Sequence, residues 1–158
     1  MVVEVNNYDY TEMKIGIVSS CGGHLTEVRT LKPAYDRYAH FYVLNDHVRL
    51  PLDMEGRTNF IRHSERDWLF LFNLWEAWKI LRKEKPQLIL STGAGPAVPF
   101  AIVGKLLRIP NIFVEISAQV TRPSLCGRIM YYLADRFFYQ WKGLENCFPK
   151  GEYGGLLL

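Results

Sequence analysis

The sequence predicts an α/β fold in which one mostly parallel sheet is covered by helices on both faces. Two observations carry this. Short apolar runs alternate along the chain with segments of helical period. Those runs are continuously apolar rather than alternating with polar residues, as strands buried on both faces require. At 158 residues the chain fits one domain. Residues 14–158 are expected to form it, with residues 1–13 as an N-terminal extension.

Lys14 to Ser20 (KIGIVSS) reads as the first buried strand, broken by Gly22-Gly23. Leu25, Val28, Leu31 and Tyr35 then recur at helical spacing as far as Tyr38, with Pro33 kinking or shortening the helix. His40 to Asn45 is a second strand and Asn59 to His63 a third. Asp67 to Lys83 is a long helix rich in large apolar residues, and Leu88 to Ser91, behind Pro86, is another buried strand. The turn Thr92-Gly93-Ala94-Gly95-Pro96 leads into a helix to about Leu107, with Pro99 tolerated in its first turn. Asn111 to Glu115 is a strand, Pro123 to Leu133 a helix and Arg136 to Gln140 a last strand before the tail, Tyr153 to Leu158 (YGGLLL).

Hydrophobic residues make up 49% and charged residues 22%, the balance of a globular chain that buries a core without disulfides or metals. A net charge of +3 is too small for a dedicated nucleic-acid binder and suits an anionic ligand or an anionic membrane surface. Cys21, Cys126 and Cys147 are far apart and lack zinc-ligand spacing, which points to a reducing compartment and no structural metal. The first thirteen residues lack the charged start and apolar core of a signal peptide. No run approaches the roughly 20 apolar residues of a membrane span. A soluble or peripheral, cytosolic chain is therefore expected.

In such a sheet, ligands bind beyond the C-terminal strand ends. Three ends carry suggestive residues: Cys21-Gly22-Gly23-His24, Thr92-Gly93-Ala94-Gly95 and Glu115-Ile116-Ser117. Gly22 and Gly23 let the backbone approach a ligand, and the helix behind them turns its N–H groups toward an anion such as a phosphate. The loop is neither GxGxxG nor a P-loop. His24 is a candidate general base, its ordinary pKa of about 6.5 suiting proton transfer near neutrality. Glu115 is costly to bury alone, so it is expected to face solvent, a cleft or an arginine, as a hydrogen-bond acceptor or second base. Plainer readings stand beside these: ordinary βα turns and a strand-end salt bridge.

In the helix from Trp68 to Leu81, Asn73, Glu76, Lys79 and Lys83 form one polar stripe. The wide remaining face is either buried or partly set in a membrane interface, with Trp68, Phe72 and Trp75 as contacts. The uncharged tail, with Tyr153, Leu156, Leu157 and Leu158, reads as docked rather than free.

Taken in order, SSCGGHLTEV, STGAGPAVP, FVEISA, SLCGRIMYYLADRFFYQW and YGGLLL resemble a known family. It comprises the acceptor-binding, membrane-recruiting subunits of two-subunit GT-B glycosyltransferases: PssD-type polysaccharide biosynthesis proteins and the anchoring subunit of the eukaryotic dolichol-linked UDP-GlcNAc transferase. The likeness runs from Lys14 to Leu158. It implies a Rossmann-like domain equivalent to the N-terminal half of a GT-B glycosyltransferase. It also implies transfer of a sugar from a UDP-sugar to a polyprenyl-diphosphate-linked sugar acceptor, without metal or cofactor. A separate donor-binding glycosyltransferase subunit would complete a heterodimer on the cytoplasmic face of the membrane, with the tail docked into it. Set on the strand ends, this assigns the acceptor and its diphosphate to Cys21, Gly22, Gly23, Thr92, Gly93, Gly95 and Ser117. His24 or Glu115 would take the acceptor proton. Without an N-terminal anchor, membrane attachment would come from the aromatic helix, basic residues or the partner. Two alternatives stay open: a non-catalytic membrane recruiter, and a free-standing nucleotide-binding domain, which the missing GxGxxG disfavours.

Overall fold

The computed structural model describes residues 13–45, 50–62 and 69–157. Its strands are β1 (Lys14–Ser20), β2 (Ala39–Asn45), β3 (Thr58–Ile61), β4 (Leu88–Gly93), β5 (Asn111–Val114), β6 (Arg136–Tyr139) and β7 (Glu152–Tyr153). They form one sheet in the order β3-β2-β1-β4-β5-β6-β7, and every neighbouring pair is parallel. All described strands therefore end at one edge.

The helices are α1 (Gly23–Thr30), α2 (Lys32–Tyr35), α3 (Leu69–Glu84), α4 (Ala97–Leu106) and α5 (Leu125–Leu133). Val28 of α1 and Tyr35 of α2 pack with Ile15, Ile17, Tyr42 and Leu44 on one face. Ala77, Ile80 and Leu81 of α3, with Phe100 and Val103 of α4, cover Val18, Phe41, Val43 and Ile89 on the other. A third cluster joins Ala97, Ala101 and Met130 to Phe113, Phe137 and Phe148. The chain turns back at β1, running outward to β2 and β3 and then across to β4. That reversal puts helices on both faces and opens a crevice beyond β1 and β4.

Four details differ from the sequence reading. The single helix expected from Leu25 to Tyr38 is two, because Pro33 sits in the first turn of α2, where its missing N–H is tolerated. The polar stripe of α3 does not hold: Asn73 lies in register with Ala77 and Ile80, and is buried with them. Short 3-10 turns at Leu52–Met54 and Lys142–Leu144 lacked a legible signal. The tail is partly a strand, since Glu152 and Tyr153 extend the sheet beside β6, fixed by a two-pronged pairing of Arg136 with Glu152. Trp68, His63 and Leu158 lie outside the described residues.

Candidate functional site

The crevice is built from the ends of β1, β4, β5 and β6. α1 begins at Gly23, directly after the exposed Gly22, and no side chain caps its N-terminus, so its first N–H groups point toward the crevice without a capping acceptor. His24 stands in that first turn and is locked to β4 in both directions. Its Nδ1 lies 2.7 Å from the Thr92 carbonyl, and the Thr92 hydroxyl donates to the His24 carbonyl at 2.9 Å. A carbonyl only accepts, so the proton resides on Nδ1 and the lone pair on Nε2. Burial lowers the His24 pKa, against smaller opposing effects of the Thr92 bond and the Glu27 charge.

Gly93 makes this lock possible. Its φ is +100°, and a Cβ there would lie 3.1 Å from His24 Cε1. The following loop is pinned on both sides: Ala94 N–H donates to Ser20 Oγ at 3.1 Å, and the Cys126 thiol donates to the Ala94 carbonyl at 3.2 Å. Burial, with the Glu115 charge adding to it, pushes that thiol up to about 12. Cys21 ties β1 to β2, its N–H donating to Asn45 Oδ1 at 3.0 Å and its thiol to the Asn45 carbonyl at 3.2 Å. Gly95 is exposed at the loop's outer side.

Glu115 is placed differently from its expectation of solvent, cleft or arginine. It is 1% exposed, turned under the start of α5. There Ser124 caps the helix by accepting from Gly127 N–H at 2.7 Å, and the missing side chain of Gly127 makes room for the carboxylate. Burial raises its pKa. Ser117 is also internally engaged. Its N–H and hydroxyl both donate to Glu27 Oε1, at 2.9 and 2.6 Å.

Glu27, 2% exposed, was not singled out in the sequence. Its other oxygen accepts from Gln140 Nε2 at 2.8 Å, and Gln140 Oε1 accepts from Leu157 N–H at 2.9 Å. Trp141 Nε1 donates to the Ser117 carbonyl at 2.6 Å.

A shallow groove of about 350 Å³, lined by Gly22, Leu25, Thr26, Arg29, Thr30 and Lys32, adjoins the glycine turn. A larger concavity of about 530 Å³, around Arg82, Lys85 and Gln87, lies at the opposite end of the sheet, remote from His24. Among the described residues, no three His, Cys, Asp or Glu side chains gather as a metal site.

A family model described as "Oligosaccharide biosynthesis protein Alg14 like" matches residues 66–157. The chain belongs to the Alg14-like family. Three relatives are each named "UDP-N-acetylglucosamine transferase subunit ALG14". The rat protein is 31% identical over 72% of this chain and 56% of its own length. The human protein is 27% identical over 92% of this chain and 83% of its own length. That of Yarrowia lipolytica is 36% identical over 52% of this chain and 41% of its own length.

Among solved structures, MurG of Acinetobacter baumannii superposes with a TM-score of 0.71 at 15% identity, covering 89% of this chain and 44% of MurG. UDP-GlcNAc 2-epimerase of Methanocaldococcus jannaschii gives 0.66 at 14%, covering 87% and 42%. At such identities the likeness is one of fold. This Alg14-like chain has a Rossmann-like fold, shared with somewhat less than half of each of those two structures.

Away from the crevice, the Alg14-like chain leaves an aromatic face bare. Leu71, Phe72, Trp75 and Trp78 of α3 are exposed, as are Leu125, Ile129 and Tyr132 of α5. Arg62 lies over Phe72, Lys79 over Trp75 and Arg82 over Trp78. No helix among the described residues is long and apolar enough to cross a membrane. In the tail, Tyr153 and Leu156 are half exposed, whereas Leu157 packs onto the cluster around Val28.

Two residues that the sequence reading missed had usable signals. Glu27 follows His24 by three positions, the spacing that shares a helix face. Gln140 closes β6 at the edge where the other three motifs end.

Proposed function

We propose that this chain is the acceptor-binding half of a two-subunit transferase. It moves a sugar, N-acetylglucosamine by the names of its relatives, from a UDP-sugar to a polyprenyl-diphosphate-linked sugar at the cytoplasmic face of a membrane. The observation that carries the reading is the fixed tautomer of His24. With Nδ1–H held by Thr92, the basic Nε2 belongs to a ring anchored at the mouth of the crevice. The acceptor hydroxyl attacks the donor sugar's anomeric carbon, the bond to UDP breaks, and Nε2 takes the hydroxyl proton.

Gly22, Gly23 and Gly95 are the backbone surfaces for the acceptor diphosphate, next to the positive end of α1. Thr92, Gly93 and Cys21 shape the site behind them. Glu115 and Ser117 act structurally rather than on substrate. Tyr153 and Leu156 form the docking edge for the donor-binding subunit. Phe72 and Trp75, flanked by Arg62, Lys79 and Arg82, meet the anionic lipid surface, where aromatic rings and cations are both favoured.

The test is reconstitution with a donor-binding subunit on anionic vesicles carrying polyprenyl-diphosphate-linked GlcNAc. UDP-GlcNAc should yield the lengthened lipid. The double variant F72A/W75A should lose on the order of 30-fold or more on vesicles, since the two aromatics together contribute at least about 2 kcal/mol of burial. It should keep its rate on a short-chain soluble acceptor. No transfer by the assembled pair would remove the reading, and equal losses on both acceptors would remove the membrane face.

A further inference from the structure

Glu27 is a buried carboxylate satisfied by neutral donors. Its partners are the Ser117 N–H and hydroxyl and the Gln140 amide, and no lysine or arginine pairs with it among the described residues. Its negative charge is therefore solvated by hydrogen bonds but not cancelled, and it stays available to a neighbour. That neighbour is His24, one turn earlier on the same face of α1.

Gln140 is the second half of the arrangement. Its amide nitrogen donates to both Glu27 Oε2 and the Glu115 carbonyl, at 2.8 and 2.9 Å, while its oxygen accepts from the backbone of Leu157. One side chain thus holds the α1 carboxylate, the end of β5 and the C-terminal segment. Leu157 in turn packs against the cluster containing Val28, the residue after Glu27.

We propose that Glu27 is a positioning residue for His24, and that Gln140 couples it to the C-terminal segment. Seating of Leu157 and placement of the charge behind the imidazole are one arrangement. The segment that leaves the sheet beside β7 is thereby wired to the proton-accepting end of the crevice. The inference rests on the reading of His24 as base. Among the described residues, Cys126 of α5 and Glu115 beyond β5 are titratable groups packed at this end, both pushed by burial toward their neutral forms.

A reversal of hydrogen-bond polarity tests it. E27Q puts an amide N–H where Gln140 also offers one, so one donor loses its acceptor. Q140E sets two carboxylates against each other. The pair E27Q/Q140E restores a donor facing an acceptor between positions 27 and 140, while the Glu115 carbonyl stays without the donor that Gln140 gave it. Each single variant is expected to lower Tm by about 5 °C, and the pair to melt above the sum of the two losses, short of the wild type by the missing bond to the Glu115 carbonyl.

The His24 ring, followed by NMR through its Cε1–H, should titrate at lower pH in E27Q, because the charge that favours the imidazolium is gone. In the assembled enzyme, E27Q should lower kcat with little change in KM. Additive losses in the cycle overturn the Gln140 link. Recovery with an unmoved His24 titration overturns the positioning role and leaves Glu27 merely structural. Both readouts use the chain alone, so they stand apart from a failure of the transferase reading, which would appear as no transfer by the wild-type pair.

Discussion

Replacing His24 by alanine should cost the assembled transferase about 10²–10⁴-fold in kcat while leaving subunit association unchanged, the range expected when a positioned general base is lost. The ring is held at Nδ1 by a main-chain carbonyl, so the substitution removes a proton acceptor whose position the fold fixes. The effect has a pH signature. Burial lowers the His24 pKa, so the neutral, active form persists to lower pH than for a free imidazole. The rising limb of kcat/KM should therefore lie below about pH 6.5, with a plateau above it. H24A should abolish the limb. The same shift favours the folded state above the unfolded imidazole's pKa, and that stability is lost as pH falls through the lowered value. Wild-type turnover in H24A would transfer the base to the partner subunit.

Gly127→Ala should be the most damaging conservative change to stability. A Cβ at Gly127 would overlap the Glu115 carboxylate and crowd Ser124 Oγ, at 3.0 Å. Overpacking alone costs typically 1–3 kcal/mol. Here the displaced atoms belong to a buried carboxylate at a helix cap, so a loss of about 3 kcal/mol or more is expected, roughly 10 °C in Tm. E115A/G127A should recover part of it by vacating the space. E115Q should be mild, because burial already raises the Glu115 pKa. A carboxyl whose pKa is raised stabilises the fold below its unfolded pKa, and that contribution is lost as pH rises through the folded value. E115Q should flatten this dependence. A G127A protein that melts with the wild type would mean that the carboxylate is elsewhere.

The sheet was legible because its strands are apolar on both faces, as in KIGIVSS and LILS, and glycine or proline punctuates them. The crevice was legible for the same reason: parallel strands must end together, so the motifs after Ser20, Thr92 and Val114 had to converge. Which side chains face the ligand was not legible. Glu115 and Ser117 sit at the right strand end, yet one turns under α5 into the space left by Gly127 and the other is taken by Glu27. These are contacts between residues far apart in the chain, which no local pattern encodes. The same holds for α3, whose aromatic content is equally consistent with a buried and a bare face until α4 is known to cover only one side of it. β7 escaped because two residues carry no alternation, and its strand character comes from Arg136 and from β6 alongside.

The proposed acceptor site is the glycine turn and His24. Amide chemical-shift mapping of the labelled chain tests it, using a water-soluble short-chain prenyl-diphosphate-linked GlcNAc as titrant. The largest shifts should fall on Gly22, Gly23, His24 and Gly95, with UDP alone leaving them nearly unmoved. Shifts by UDP at those amides and none by the acceptor would overturn that assignment and place the donor here instead.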